Sequence, residues 1–263
     1  MKELIILKIG GSVITDKFSE IPKVNPKNLK RISKEIASVY DKNKMSLIII
    51  HGAGSYGHVI VKRTGIHKGI ERDEQLIDFA ETQRLQNELN CIVTDHLIKE
   101  GLPAIPCQAS AFAVMKRGRL VKMDTSAIRG LIDIGMIPVL YGVPAYDEHQ
   151  KCSILSGDQI APYLATNLKA KKIIHATDVD GVFNSDPNRN PDAKLITEIN
   201  SENISQVKEW LTGSTATDVT CGMFGKISEL LGIGIESHIV NALTENNIIK
   251  AFDGEDIGTK IML

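Results

Sequence analysis

The chain has 263 residues, 43% of them hydrophobic and 24% charged, and 31 Lys and Arg balance 32 Asp and Glu for a net charge of -1. That composition excludes global disorder and suits a globular protein of one large domain, or two lobes sharing a sheet, that buries about three quarters of its extended surface. With no basic excess and only 5% aromatic residues, neither nucleic acid, nor a membrane surface, nor a stacking platform for single strands is expected as a partner.

The first segment, MKELIILKIGGSVITDK, has too short an apolar core for a signal peptide, and no apolar run approaches the roughly 20 residues that span a bilayer. A cytoplasmic location is expected. Leu4–Ile9 reads as a buried strand ending in Gly10-Gly11. Pro26–Tyr40 has helical spacing, with Pro26 at a tolerated first-turn position. Leu47–Ile50 is a second strand and runs into the glycine-rich stretch His51–His58. Asp73–Glu100 is a long helical pattern that Gly101 ends. Pro103–Gln108, Ile137–Tyr141 and Lys172–Thr177 read as further strands, and Gly118–Met123 as an antiparallel excursion. Thr125–Asp133, Asp158–Leu168, Ser201–Leu211 and Gly222–Ile233 read as helices.

Strands apolar on both faces and separated by helices predict a mainly parallel sheet covered on both sides. The polar loop Asn184–Pro191 is the most obvious break, and no spacer divides a front lobe, residues 1–170, from a back lobe, residues 171–263. Cys91, Cys107, Cys152 and Cys221 form no CxxC pair, so they read as buried, reduced thiols and not as a zinc site.

Four glycine-bearing turns follow strands, and the carboxyl ends of parallel strands are where ligands bind. In Lys8-Ile9-Gly10-Gly11-Ser12 the glycines let backbone N–H groups approach an anion, with Lys8 at the strand end and Lys17 shortly after. Gly52, Gly54 and Gly57 match G-x-G-x-x-G, but on the second strand, and a dinucleotide reading leaves the lysine-bearing turns without a role. His58 closes that turn. Ser156-Gly157-Asp158 opens a helix that Ser156 or Asp158 could cap, and Asp158 could also hold two ammonium groups apart and aimed. The last turn is in two pieces, Thr177–Phe183 with Asp178 and Asp180, and Asp218–Lys226. Gly222–Lys226 starts a helix and puts Lys226 in its first turn, where a positive charge is unfavourable unless an anion is bound. Thr220 and Ile227 break a Walker A match. Three lysines, a histidine and several N–H nests imply a site for multiple phosphates. The absence of an obvious general base suits phosphoryl transfer to an acceptor that is already anionic.

The order KxGGS, HGxGSxGH, SGD, TDVDGV(F/Y) and DVTxGMxxK resembles the amino acid kinase family over nearly the whole chain. The final His of HGxGSxGH is similar to a branch whose acceptor is a phosphate or phosphonate. The resemblance implies a three-layer αβα sandwich with a central mainly parallel sheet, a homodimer, and ATP with Mg2+. It implies ATP-dependent phosphorylation of isopentenyl phosphate to isopentenyl diphosphate, in the archaeal alternative mevalonate route to isoprenoids. It assigns Lys8, Ile9, Gly10, Gly11, Ser12, Gly54, Asp178, Gly222 and Lys226 to ATP, Ala53, His58 and Gly157 to the acceptor, and Lys17 to transition-state charge. Lys8, Lys17, His58, Asp158 and Lys226 form the implied catalytic set, with no metal ligand among the side chains. Phe79 and Thr82, which share a face of the long helix with Gln83 and Gln86, fall near positions that limit acceptor length. Ala53 and Cys221 depart from the family pattern, which has glycine at both. The rival readings are a fosfomycin-kinase-like enzyme and a non-catalytic nucleotide-binding protein on the same fold.

Overall fold

The computed structural model describes residues 2–16, 18–185, 187, 190–212 and 222–263. The N-terminal aliphatic run forms β1 (Glu3–Ile9), and Gly10 turns the chain into the single-turn helix α1 (Gly11–Ile14). In α2 (Pro26–Val39) the first-turn proline loses no helical hydrogen bond, and Asn25 Oδ1 accepts the Asn28 N–H at 3.1 Å. β2 (Met45–His51), α3 (His58–Thr64) and the 26-residue α4 (Glu74–Lys99) follow.

Only Ala104–Pro106 of the expected Pro103–Gln108 strand pairs, as β3, because a 3-10 turn begins at Ala109. β4 (Ala113–Lys116) and β5 (Arg119–Met123) make the antiparallel excursion. Then come α5 (Ser126–Asp133), β6 (Ile137–Tyr141), β7 (Val143–Asp147), β8 (Lys151–Leu155), α6 (Gly157–Leu168) and β9 (Lys172–Thr177). The back half holds β10 (Val182–Phe183), β11 (Leu195–Ile196), β12 (Glu198–Ile199), α7 (Ile204–Thr212), α8 (Gly222–Glu229), β13 (Glu236–Asn241), α9 (Asn247–Asp253) and β14 (Thr259–Ile261). The helix expected over Gly222–Ile233 stops four residues early, because Gly232 takes φ +72°. Asp186, Asn188 and Arg189 of the polar loop lie outside the described residues.

Eight strands form one sheet in the order β12-β14-β13-β9-β1-β2-β6-β3, in which only the β13–β14 pair is antiparallel. Helices on both faces complete the expected three-layer αβα sandwich. The chain starts in the middle of the sheet. It builds β2, β6 and β3 to one side, then crosses to β9 and β13 on the other. A crevice therefore opens beyond the carboxyl ends of β1, β2 and β9.

Strand alternation decides which residues enter it. Ile5, Leu7 and Ile9 of β1 join the core cluster that also holds Leu29 and Ile32 of α2 and Leu89 and Val93 of α4. Leu4 and Ile6 face the other cluster, with Ile160 and Leu164 of α6 and Ile227 of α8. The two-residue period puts Lys8 on this second face, toward α6 and α8. Not every cysteine is buried as expected: Cys91, on the outer face of α4, is exposed, Cys107 is half-buried and Cys152 is buried, while Cys221 lies outside the described residues. Among the described residues no helix is long and apolar enough to cross a membrane.

Candidate active site

The first two glycine turns meet backbone to backbone. A Cβ on Gly11 would lie 2.3 Å from Gly54 N, and one on Gly52 would lie 2.6 Å from Gly11 N. Gly54 sits at φ +49° against Thr15. The Thr15 hydroxyl donates to Gly11 O at 2.8 Å and accepts the Ser55 N–H at 3.1 Å, tying both turns together. Among the described residues no acceptor faces the N–H groups of Gly11, Ser12, Ala53 or Gly54. Two interlocked turns with free amides are a cradle for phosphate oxygens.

Beneath the cradle lies a buried charge cluster. Asp158, in the first turn of α6, puts Oδ1 2.6 Å from Lys226 Nζ and 3.1 Å from Lys8 Nζ. Ser156 supplies the α6 cap, accepting the Asp158 N–H at 3.1 Å and leaving the Asp158 carboxylate for the lysines. Lys8 and Lys226 are each 7% exposed. Burial alone would raise the Asp158 carboxyl, but the Lys8 and Lys226 charges outweigh it and hold the group well below the usual carboxylate range. Burial, with Lys8 adding repulsion and Asp158 only partly offsetting both, pulls Lys226 down to about 8. His175 pairs with Lys8 across β9 and β1, and its Nδ1 lies 3.7 Å from Asp158 Oδ1. Burial and the nearby Lys226 keep that imidazole neutral at pH 7.

Lys226 is not in a first helical turn, as expected from sequence. It is the fifth residue of α8 and in its last turn, where the helix dipole does not oppose it, and its counter-charge here is Asp158. A pH dependence follows. In the free enzyme kcat/KM for ATP should fall as pH rises through about 8, when Lys226 loses its proton. Its folded pKa is below the unfolded value of about 10.4, so the unfolded chain binds more protons across that window and stability should rise while activity falls. Lys226→Arg should abolish the alkaline limb; an unmoved limb would assign it to another group.

The remaining expected residues are placed as follows. Ile9 is buried in the core and Gly10 donates its N–H to Ala176 O at 2.8 Å. Gly157 packs so that a Cβ would stand 3.4 Å from Lys8 Cε. Ala53 precedes the Gly54–Tyr56 turn, and His58 is the exposed first residue of α3. Asp178 directly follows β9, and Gly222 opens α8 at φ +57°. Phe79 packs with Val61, Ile66, Ile70, Cys152 and Ile154 in a small apolar cluster between α3, α4 and β8. Thr82 is buried, its hydroxyl donating to Asp78 O at 2.7 Å. Lys17 lies outside the described residues. Thr15 and His175 escaped the sequence reading; the one signal was an imidazole inside the aliphatic strand KIIHAT. Asp158, the carboxylate of the cluster, is engaged by both ammonium groups, and among the described residues no three His, Cys, Asp or Glu side chains gather to hold a metal. Asp158 is therefore not open to a metal ion.

The amino acid kinase family pattern matches residues 3–241, and the chain belongs to that family. Within it, the chain is 43% identical to the isopentenyl phosphate kinase of Methanothermobacter thermautotrophicus, with 98% of each chain covered. It is 37% identical to the isopentenyl phosphate kinase of Methanocaldococcus jannaschii over the same share of both chains. A solved structure described as an X-ray structure of isopentenyl phosphate kinase superposes with a TM-score of 0.85 at 40% identity, covering 98% of this chain and 100% of that one.

Proposed function

We propose that the chain is an ATP-dependent kinase that converts isopentenyl phosphate to isopentenyl diphosphate. The observation that carries the chemistry is the buried Lys8–Asp158–Lys226 cluster beneath two interlocked turns with free amides. Such a site suits in-line transfer between two anions. A phosphate monoester, with a second pKa of about 6, is already ionised near pH 7 and needs no base. The amides of Gly11, Ser12 and Gly54 would take nucleotide oxygens. Lys8 and Lys226 would leave Asp158 to neutralise the transferred group, and Asp158 would hold them aimed until ATP arrives. Asp178 and Gly222 would border the nucleotide. Ala53, His58 and Gly157 would hold the acceptor, and Lys17 would stabilise transition-state charge. Magnesium would enter with ATP as part of the substrate, bound by phosphate oxygens and water. A homodimer in the cytoplasm, placed in the archaeal alternative mevalonate route, with residues 1–170 as acceptor lobe and 171–263 as nucleotide lobe, completes the reading.

The decisive assay couples ADP release to isopentenyl phosphate, with fosfomycin as the alternative acceptor. Turnover with isopentenyl phosphate supports the proposal; turnover with fosfomycin alone, or with neither, overturns it. In an active enzyme, His58→Ala should lose about 10²-fold in kcat/KM, the scale of one donor to a developing anion, whereas His58→Gln should keep part of the activity. Wild-type rates in His58→Ala would remove His58 from the acceptor site.

Phe79 would close a tail pocket beyond the acceptor turn, since the apolar cluster it packs against includes Val61 of α3, the helix that His58 opens, and Cys152 of β8. Phe79→Ala should raise kcat/KM for geranyl phosphate relative to isopentenyl phosphate, each newly buried methylene contributing about 0.8 kcal/mol. An unchanged substrate ratio with a stability loss of about 3–5 kcal/mol would make Phe79 a packing residue only.

A further inference from the structure

The turn after β2 rests on a buried imidazole that the phosphate chemistry leaves unused. His51, the last residue of β2, is fully buried and stacks on Tyr141, with centroids 5.5 Å apart and planes 13° from parallel. Its protonation can be worked out from its neighbours. The Val139 carbonyl only accepts, so the Asn90 atom 3.0 Å away is the amide nitrogen. That nitrogen also lies 3.1 Å from His51 Nε2, which must then be the bare, accepting nitrogen. A neutral imidazole with a bare Nε2 carries its proton on Nδ1, and Nδ1 lies 3.0 Å from Gly52 O. Burial, only partly offset by the Gly52 hydrogen bond, pushes the His51 pKa down to about 4, so the ring is neutral at pH 7.

The consequence lies one bond further on. The Gly52–Ala53 peptide is trans, so its C=O and N–H point in opposite directions. With the carbonyl drawn back to the buried ring beside α4, the Ala53 N–H is aimed to the opposite side of the peptide, away from α4. The strand ends lock the same turn from either side, through Gly52 N–H to Ile9 O at 2.9 Å and Gly142 N–H to His51 O at 3.0 Å.

We propose that His51 is a positioning residue for the acceptor: as its Nδ1–H tautomer it holds the Gly52 carbonyl and thereby turns the Ala53 N–H onto the acceptor phosphate. This role rests on the acceptor assignment made above for Ala53. A side-chain amide at the Nδ1 position preserves the contact, and one at the Nε2 position does not. His51→Asn keeps a donor within reach of Gly52 O, whereas His51→Gln reaches Asn90 instead. The KM for isopentenyl phosphate should therefore rise about ten-fold in His51→Gln, the upper range for one neutral hydrogen bond, and His51→Asn should recover most of that loss. The KM for ATP should stay level in both, which a general loosening of the fold would not produce. Equal acceptor KM values in the two variants, or a parallel rise in the ATP KM, overturn the proposal. Long-range ¹H–¹⁵N correlation on histidine-labelled wild type, with the His51 signal identified by its loss in His51→Asn, should show a protonated Nδ1 and a bare Nε2. A bare Nδ1 overturns the proposal even if neither variant is active. A wild type that does not turn over isopentenyl phosphate sinks the acceptor reading itself, a result distinct from either outcome in the variants.

Discussion

Asp158→Asn should lower kcat/KM by about 10³-fold, the upper range for removing a group that organises transition-state charge, and should destabilise the protein. One carboxylate oxygen stands between two ammonium groups that are nearly buried. Asparagine keeps the shape and removes the charge, leaving two like charges facing each other out of water. Breaking a buried pair in this way costs about 3–5 kcal/mol. The sign with pH is fixed by the depressed carboxyl. Its stabilising contribution is complete above the unfolded pKa of about 3.9 and is lost as pH falls toward the folded value, so the stability gap between wild type and variant should be constant from about pH 5 to 7 and narrow only below about pH 4. A second substitution separates stability from catalysis. Asp158→Asn with Lys226→Met removes the repulsion and should regain most of the stability, because apolar groups replace buried charge at little cost. It should regain no activity, since a phosphate ligand is gone. Equal loss of activity and stability in the single variant, both restored in the double, would make the cluster a structural device and not a catalytic one.

The cluster was half legible in the sequence. Lys8 ends an aliphatic strand before two glycines, Asp158 sits beside a glycine at a helix start, and Lys226 follows the glycines that open α8, so their chemistry could be read from their neighbours. Their meeting could not. It depends on strand alternation turning Lys8 toward α6, and on β9 lying beside β1, a crossover that only the complete sheet order reveals. For the same reason His175 was invisible: its partners are 17 to 167 residues away in sequence, and a histidine in KIIHAT has no local pattern. The elements follow this division. The long helix α4 and most buried strands declare themselves by period, whereas the buried strand β13, the β7–β8 hairpin and β14 owe their pairing to partners and were not expected. The placement of Lys226 went astray because the glycine run marks where α8 begins, not which charge that helix carries to Asp158.

Gly10 and Gly11 look equivalent in the sequence, and the structure predicts opposite outcomes for them. At Gly10 the backbone is extended, with φ -61° and ψ 141°, and a Cβ would make ordinary contacts of 3.4 Å to Ala176 O and 3.5 Å to Val13 Cγ2. Gly10→Ala should therefore leave stability within about 1 kcal/mol of wild type, the range of a site with no special constraint. At Gly11 a Cβ would lie 2.3 Å from Gly54 N and 2.8 Å from Gly54 Cα. Those atoms are backbone, so no rotamer change relieves the overlap and the two turns must separate. Separation breaks the Thr15 tie between Gly11 O and Ser55 N–H and moves the amides of both turns out of register. A shift of about 1 Å at a reacting centre costs about 10²-fold, and here both substrates' phosphates would shift, so Gly11→Ala should lose more than that in kcat/KM and about 4 kcal/mol or more in stability. Paired melting curves and kinetics on the two variants provide the check. Near-wild-type behaviour in Gly11→Ala would mean that the turns are not interlocked in solution, and the shared phosphate cradle would have to be abandoned.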